Sequence, residues 1–511
     1  MNNSIYISME ERSFQFTDEN VSELFGKEAA EDEELDRLKA YYIKGKTHER
    51  VTSNLPLRIL VGHKGIGKSA IFTIARHEDQ EVHRVSLLIR PDDISSIGKE
   101  SNDFDQMIRD WKHGLVSIIT DKICETIHYK LPVNENNKVD GSLFTQFLPF
   151  VKSFCVRKLE EAGIDNVDKL IVDNFIRTNR VIVYIDDLDR GWEGKDTDIR
   201  RISALLNAVR DLSNDNKGLQ FRISLRTDVY YLVRTSDEST DKIGDAVIWH
   251  SWSNHEILLL LIKRIESFFN RPFNVDTYRN VQQRSLAHFL NPVFEQTFTD
   301  RGKWEHKPMY IILMSLIRKR PRDLVKLCNA AAKCAYDNNK TKIDTECLKS
   351  IFVNYSQDRI QDTVNEYRSE LKDIERLLLN MKPSAQEKKK RDRKSLLNDR
   401  KGSSGYIYST SELKLKLNDI IQRGNFIFRN GKKADANSLL HFLYKINFIT
   451  ARKEREDGFI DRKYFEENKY LTSNTADFGY DWEVHPAFRW ALNPLTVDEI
   501  YMTLQLSADD K

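Results

Sequence analysis

Cysteine is scarce: Cys124, Cys155, Cys328, Cys334 and Cys347 are the five in 511 residues, irregularly spaced and without a C-x-x-C pair. This excludes a disulfide framework and a cysteine-built zinc module, and the expectation is reduced, buried thiols in a cytosolic protein. Long apolar runs are missing as well. None reaches the roughly 18 residues of a membrane span, and the N-terminus has no basic segment followed by an apolar one. We therefore expect a soluble intracellular chain with no membrane partner. Excess charge is the third absence, since 80 Lys+Arg against 78 Asp+Glu leave a net charge of +2. A dedicated nucleic-acid binder is excluded on whole-chain electrostatics, so any basic surface has to be local.

What is present begins with Gly62-His63-Lys64-Gly65-Ile66-Gly67-Lys68-Ser69, directly behind the apolar run Leu57 to Val61. It matches G-x-x-x-x-G-K-[ST] with a strand pattern before it and a helical pattern from Ser69 to Arg76 after it. Gly62, Gly65 and Gly67 free the backbone for strained or left-handed turns that aim successive N–H groups at a phosphate, and the following helix adds the positive end of its dipole. Nucleotide phosphates are assigned to Gly62, His63, Lys64, Gly65, Ile66, Gly67, Lys68, Ser69 and Ala70. Lys68 is expected to reach the β- and γ-phosphates of ATP, and the Ser69 hydroxyl to ligate Mg²⁺.

The second motif is Val181-Ile-Val-Tyr-Ile185 followed by Asp186-Asp187-Leu188-Asp189-Arg190. A mostly β-branched apolar run fits a strand buried on both faces of a parallel sheet, and carboxylates at its C-terminal edge stand where open α/β sheets bind ligands. Asp186 is expected to hold Mg²⁺ through water, and Asp187 to polarise the attacking water. Aspartate where glutamate is more usual suggests slow hydrolysis. Asn137-Lys-Val-Asp140 spells a guanine signature, but it precedes the carboxylate strand, and no D-x-x-G follows that strand, so a GTPase is disfavoured. A further strand, Leu219 to Thr227, ends in Ser224, Arg226 and Thr227; Arg226 is a candidate for touching the γ-phosphate, with a surface arginine at a strand end as the alternative.

The periodicity divides the chain into four parts. Residues 1–255 read as a P-loop α/β core with a helical lead-in, closed by a last strand near Ala246 to Trp252 and a helix N-capped by Ser253. Residues 256–380 read as a helical lid, in which Arg322, ranked above Arg320, can swing onto the nucleotide. Residues 381–408 form a basic flexible linker that could also contact phosphate backbones. Residues 409–511, with helices at Leu413 to Ile421 and Asn437 to Ile446 and strands at Phe448 to Arg452 and Trp482 to His485, suggest a winged helix.

These motifs resemble the STAND and KAP P-loop ATPases of the AAA+ assemblage, found in bacterial conflict and antiphage systems. The matching pieces are Val61 to Ser69, Ile185 to Arg190, Leu225-Arg-Thr-Asp228 and Arg320 to Leu324. The resemblance implies that Arg226 reads the γ-phosphate and that His485 grips ADP from the winged helix, although Pro486 stands where aspartate is expected. It implies an ATP-driven switch that self-associates as a homo-oligomer or activates a separate effector protein, because no nuclease, protease, TIR or deaminase constellation is visible. The alternative is a DNA-associated AAA+ ATPase that uses the winged helix and basic linker. A small-molecule kinase fits less well, as such folds are shorter.

Overall fold

The computed structural model describes residues 14–98, 103–126, 180–191, 194–236, 238–384, 405–456, 459–472, 478–494, 498, 500–501 and 504–507. Asn137 to Asp140 and residues 385–404 of the basic linker lie outside the described residues.

Five apolar runs make one parallel sheet. They are β1 (Leu57–Gly62), β2 (Val85–Ile89), β3 (Val181–Ile185), β4 (Leu219–Arg226) and β5 (Val247–Trp249), ordered β2-β3-β4-β1-β5. β3 and β4 are buried at every position, as the unbroken apolar run of β3 predicts for a sheet covered on both faces. In β4 the price is polar residues in the interior, and Arg222 meets it with bonds to the carbonyls of Leu55 (2.9 Å) and Ser53 (2.7 Å). The register sets Gly62 opposite Arg226, and Ile185 opposite Ile223. The P-loop, the carboxylates after β3 and the end of β4 therefore share one sheet edge.

Helices Lys68–Glu81 and Asp196–Asp215 flank this sheet, and Asn254–Phe268 follows β5. Ser253 caps the last of these in a capping box with Glu256, as expected from its sequence. The charged lead-in forms three short helices, Asp18–Phe25, Leu35–Tyr41 and Lys46–Thr52, because Gly26 at φ 75° breaks the first and Tyr42 leaves the helical region after the second.

Packing runs across the sequence divisions. Phe16, Leu24, Phe25, Leu38 and Tyr41 of the lead-in share a core with Ile257 to Ile265, Met309 to Ile317 and Leu324 to Phe352, and with Trp490, Tyr501 and Leu504 from near the C-terminus. Helix Thr345–Tyr367 belongs to two cores: Tyr355 and earlier residues pack with the lid, whereas Ile360, Val364 and Tyr367 pack with the C-terminal unit.

In that unit, helices Thr410–Gln422 and Ala436–Lys445 pack on an antiparallel sheet of β6 (Ile407–Tyr408), β7 (Ile449–Glu454), β8 (Ile460–Lys463) and β9 (Asp481–Val484), ordered β6-β9-β7-β8. The two strands expected from sequence pair directly as β7 and β9. β6 and β8 are additional, being too short or too charged to show an apolar alternation.

Candidate functional site

The loop after β1 owes its shape to glycines and to donors from elsewhere in the fold. Gly65 (φ 76°) and Gly67 (φ 99°) are left-handed. Gly62 is not, contrary to expectation; a Cβ there would stand 3.0 Å from Ile66 Cγ2 and 3.3 Å from the His250 carbonyl, so close packing requires glycine. Each carbonyl from Gly62 to Ile66 is occupied. Lys68 Nζ donates to Gly62 (2.9 Å) and His63 (3.2 Å), Arg320 Nη1 to Lys64 (3.5 Å), the Arg322 N–H to Gly65 (3.3 Å) and Trp252 Nε1 to Ile66 (2.8 Å). With its acceptors engaged in this way, the loop can turn its N–H groups toward an anion. Burial lowers the Lys68 pKa, against the pull of Asp189 and Asp186.

Across the sheet edge, Asp186 accepts from the Ser224 hydroxyl and, at 2.9 Å, from the Asp187 N–H. Asp187 takes φ 58°, a left-handed turn that aspartate tolerates better than most side chains. Burial, with Asp189, Glu31 and Asp186 nearby, pushes the Asp187 carboxyl up to about 6, although Arg190 Nε at 3.1 Å opposes this.

Arg226 is held by four bonds. Nε and Nη2 fork onto Asp228 (3.0 and 2.8 Å), Nη1 reaches Asp189 (3.2 Å) and Nη2 also donates to the Glu366 carbonyl (2.8 Å). Burial opposes its charge, but Asp228, Glu366 and Asp189 more than compensate and raise its pKa. A surface arginine is thus ruled out, since Arg226 is only 7% exposed. Sequence reasoning missed the Arg226 partners Asp189, Asp228 and Glu366, and the Ser224 hydroxyl on Asp186; the only signal was the density of polar residues at two strand ends.

A cavity of about 800 Å³ joins these parts. Its walls include Lys64, Gly65, Gly67, Lys68, Ser69 and Ala70 of the loop, Asp186, Asp187 and Arg226 of the sheet edge, and Arg322 of the lid. Arg322 crosses Gly65 and donates through Nε to the Glu28 carbonyl at 3.0 Å. Gly62, His63 and Ile66 are not in the cavity wall, and His63 points the other way. Nor does the structure bring His485 to the cavity. It is buried in the C-terminal unit, where Nε2 lies 2.9 Å from the Tyr464 hydroxyl and Nδ1 accepts from Ala487 N–H at 3.1 Å. These two bonds occupy both ring nitrogens.

The donor set fits a magnesium nucleotide. Among the described residues no group of three or more His, Cys, Asp or Glu stands together as a metal cage. A small hard cation there would rely on the Ser69 hydroxyl, the Asp186 carboxylate, water and phosphate oxygens, which suits Mg²⁺. Also among the described residues, no helix is long and apolar enough to cross a membrane.

Strand, glycine loop, helix and parallel sheet define a P-loop α/β fold with a helical lid and an α/β C-terminal unit. A family model described as the FunZ-associated C-terminal helical domain matches residues 256–364. An 80.3 kDa protein ascribed to transposon gamma-delta of Escherichia coli (strain K12) is 24% identical over 349 residues, covering 61% of this chain and 47% of that protein. The chain thus spans about half the length of the curated relative it matches. Among solved structures, the ORC2 protein of Aeropyrum pernix in ADPNP and ADP complexes aligns over 91% of this chain and 94% of its own, at 11% identity and a TM-score of 0.38. Cdc6p of Pyrobaculum aerophilum aligns over 94% and 98%, at 10% identity and a TM-score of 0.32.

Proposed function

We propose that the chain is a cytoplasmic ATPase of the AAA+ assemblage that acts as a slow molecular switch, coupling nucleotide state to self-assembly or to a separate effector. The observation that carries this reading is the single cavity uniting Lys68, Ser69, Asp186 and Asp187 with Arg322 of the lid. In this reading the loop N–H groups and Lys68 bind the phosphates, Asp187 holds the attacking water and accepts its proton, and Ser69 with Asp186 would hold the metal. Bound Mg²⁺ supplies charge neutralisation on the phosphate oxygens. A place in bacterial defence is supported by the STAND and KAP resemblance of the motifs.

The transposon relative supports a second reading, a DNA-associated ATPase that uses its winged-helix-like C-terminal unit and the basic residues before it. One comparison tests both: ATP turnover and solution mass of wild type, Lys68→Ala and Asp187→Ala, with and without duplex DNA. The switch reading expects no turnover in Lys68→Ala, and ATP retention with altered mass in Asp187→Ala. It fails if Asp187→Ala neither retains ATP nor changes its mass. Turnover that rises only with DNA, and falls steeply with salt, favours the second reading.

A further inference from the structure

His63 is the second residue of the P-loop, yet its side chain leaves the cavity and enters the C-terminal unit. It is 3% exposed. Nδ1 lies 3.1 Å from the Tyr367 hydroxyl, and Nε2 lies 3.2 Å from Asn447 Nδ2 and against the Glu466 carboxylate. The Asn447 amide in turn stands 3.3 Å from each Glu466 oxygen, and its Oδ1 accepts from the Phe465 N–H at 3.4 Å. Asn447 itself sits in a left-handed turn between helix Ala436–Lys445 and β7, at φ 57°. Besides Glu466, whose own pKa burial raises, the charged groups around the ring are Arg320, Glu366, Lys68 and Arg318, and burial keeps the imidazole neutral. A neutral ring needs one donor and one acceptor. Nε2–H donating to Glu466 and the Tyr367 hydroxyl donating to Nδ1 meet that need.

A P-loop needs no particular side chain at this position for phosphate binding, since its backbone makes the contacts. Here the side chain is committed to Tyr367, 304 positions away in the chain, and to Glu466, farther still. The carbonyl of the same residue is one of the two that fix Lys68. Moving the ring therefore moves both the loop and the lysine.

We infer that Tyr367, Asn447 and Glu466 act through His63 as positioning residues that make the C-terminal unit part of the nucleotide site. The loop keeps its phosphate-accepting form while the C-terminal unit is docked, and by reciprocity a bound nucleotide holds that unit in place. This inference rests on the nucleotide reading above.

The test uses the full chain and Mg-ATP. Affinity is measured by calorimetry for wild type, Glu466→Ala, Glu466→Gln and Tyr367→Phe, with hydrogen exchange of residues 449–454 and 481–484 followed with and without ATP. Glu466→Ala is expected to weaken ATP binding at least about fivefold, in line with typical coupling between sites. Glu466→Gln, which keeps a hydrogen-bonding group at the same place, and Tyr367→Phe, which loses only the hydroxyl, should fall between wild type and Glu466→Ala. ATP should slow exchange in the two strands of wild type and not in those of Glu466→Ala. If Glu466→Ala unfolds more readily but binds ATP with wild-type affinity, the cluster is merely structural and the inference is overturned. If Glu466→Ala is too unstable to titrate, Tyr367→Phe decides: wild-type affinity there overturns the inference. A wild type that binds no nucleoside triphosphate overturns the nucleotide reading and this inference together, whereas wild-type binding shared by all variants overturns this inference alone.

Discussion

Replacing Arg226 with alanine separates a structural pin from a free phosphate sensor. Arg226 and Asp228 are 7% and 4% exposed, and the guanidinium forks onto that carboxylate at 3.0 and 2.8 Å. Its removal leaves the buried Asp228 charge without its partner, and deprives Asp189 and the Glu366 carbonyl of a donor. Breaking a buried pair in this way costs about 3–5 kcal/mol. In the double-mutant cycle of Arg226→Ala with Asp228→Ala, about 1.5–3 kcal/mol should appear as coupling, the range for bonds to charged groups in contact. Urea unfolding of the four proteins measures it, taking the transition in which the parallel-sheet core opens. The sign with pH is also fixed. Burial raises the Asp228 pKa, and Arg226 is the main opposing influence. Without Arg226 the carboxyl takes up a proton more readily in the folded state, so the Arg226→Ala defect should shrink as pH falls toward the carboxylate range. A coupling under about 0.5 kcal/mol, a value usual for independent sites, would refute the pin and leave Arg226 free to read phosphate.

Three other outcomes follow from the geometry. Lys68→Ala removes the ammonium that the loop carbonyls fix, and phosphate release should fall by about 10²-fold or more, as when a preorganised charge is removed from an active site. Gly65→Ala places a Cβ 2.9 Å from Arg322 Cβ at φ +76°; a local strain of about 1–3 kcal/mol should appear as weaker ATP binding in a titration, with thermal stability much less affected. Glu483 is buried, which alone would raise its pKa, but Arg462, Arg489 and Arg452 bring it down to about 2. Its stabilising contribution is complete above the unfolded carboxylate pKa and is lost as pH falls toward about 2. Glu483→Gln should therefore cost about 3–5 kcal/mol at neutral pH, and the gap to wild type in urea melts should close in acid.

The parallel core was legible because its signals are local. An apolar run, a glycine loop and a helical pattern each lie within about fifteen residues around Gly62 to Ser69, and β3 reads as a buried strand on its own. The clustering of Lys68, Ser69, Asp186 and Asp187 was equally legible, since parallel strands bring their C-terminal ends to one edge. Arg226 was recognisable as a strand-end arginine, but its partners were not: Asp228 is two residues away, whereas the Glu366 carbonyl comes from a helix 140 positions later. His485 shows the converse. Its local pattern suggested a nucleotide contact, yet Tyr464 and Ala487 occupy both ring nitrogens. Packing decided those cases, and no periodicity encodes which helix end faces a given loop.

The last turn of helix Thr345–Tyr367 gives the lid its connection to both halves of the candidate site. The Glu366 carbonyl accepts from Arg226, which also holds Asp189 beside the carboxylate pair after β3. The Glu366 carboxylate accepts at 3.3 Å from Arg320, whose same nitrogen reaches the Lys64 carbonyl of the P-loop. The Tyr367 hydroxyl meets His63 in that loop. Burial would raise the Glu366 pKa, but Arg320 and Arg226 bring it down to about 2, so both arginines face a full negative charge at neutral pH. A change at Asp189 and a change at the P-loop therefore act on the same carboxyl group and the same helix end. Because buried charges tolerate loss of a partner poorly, the helix end should move with the two arginines rather than release one of them. A helix end shared in this way is what the proposed switch needs if the cavity's occupant is to bias it.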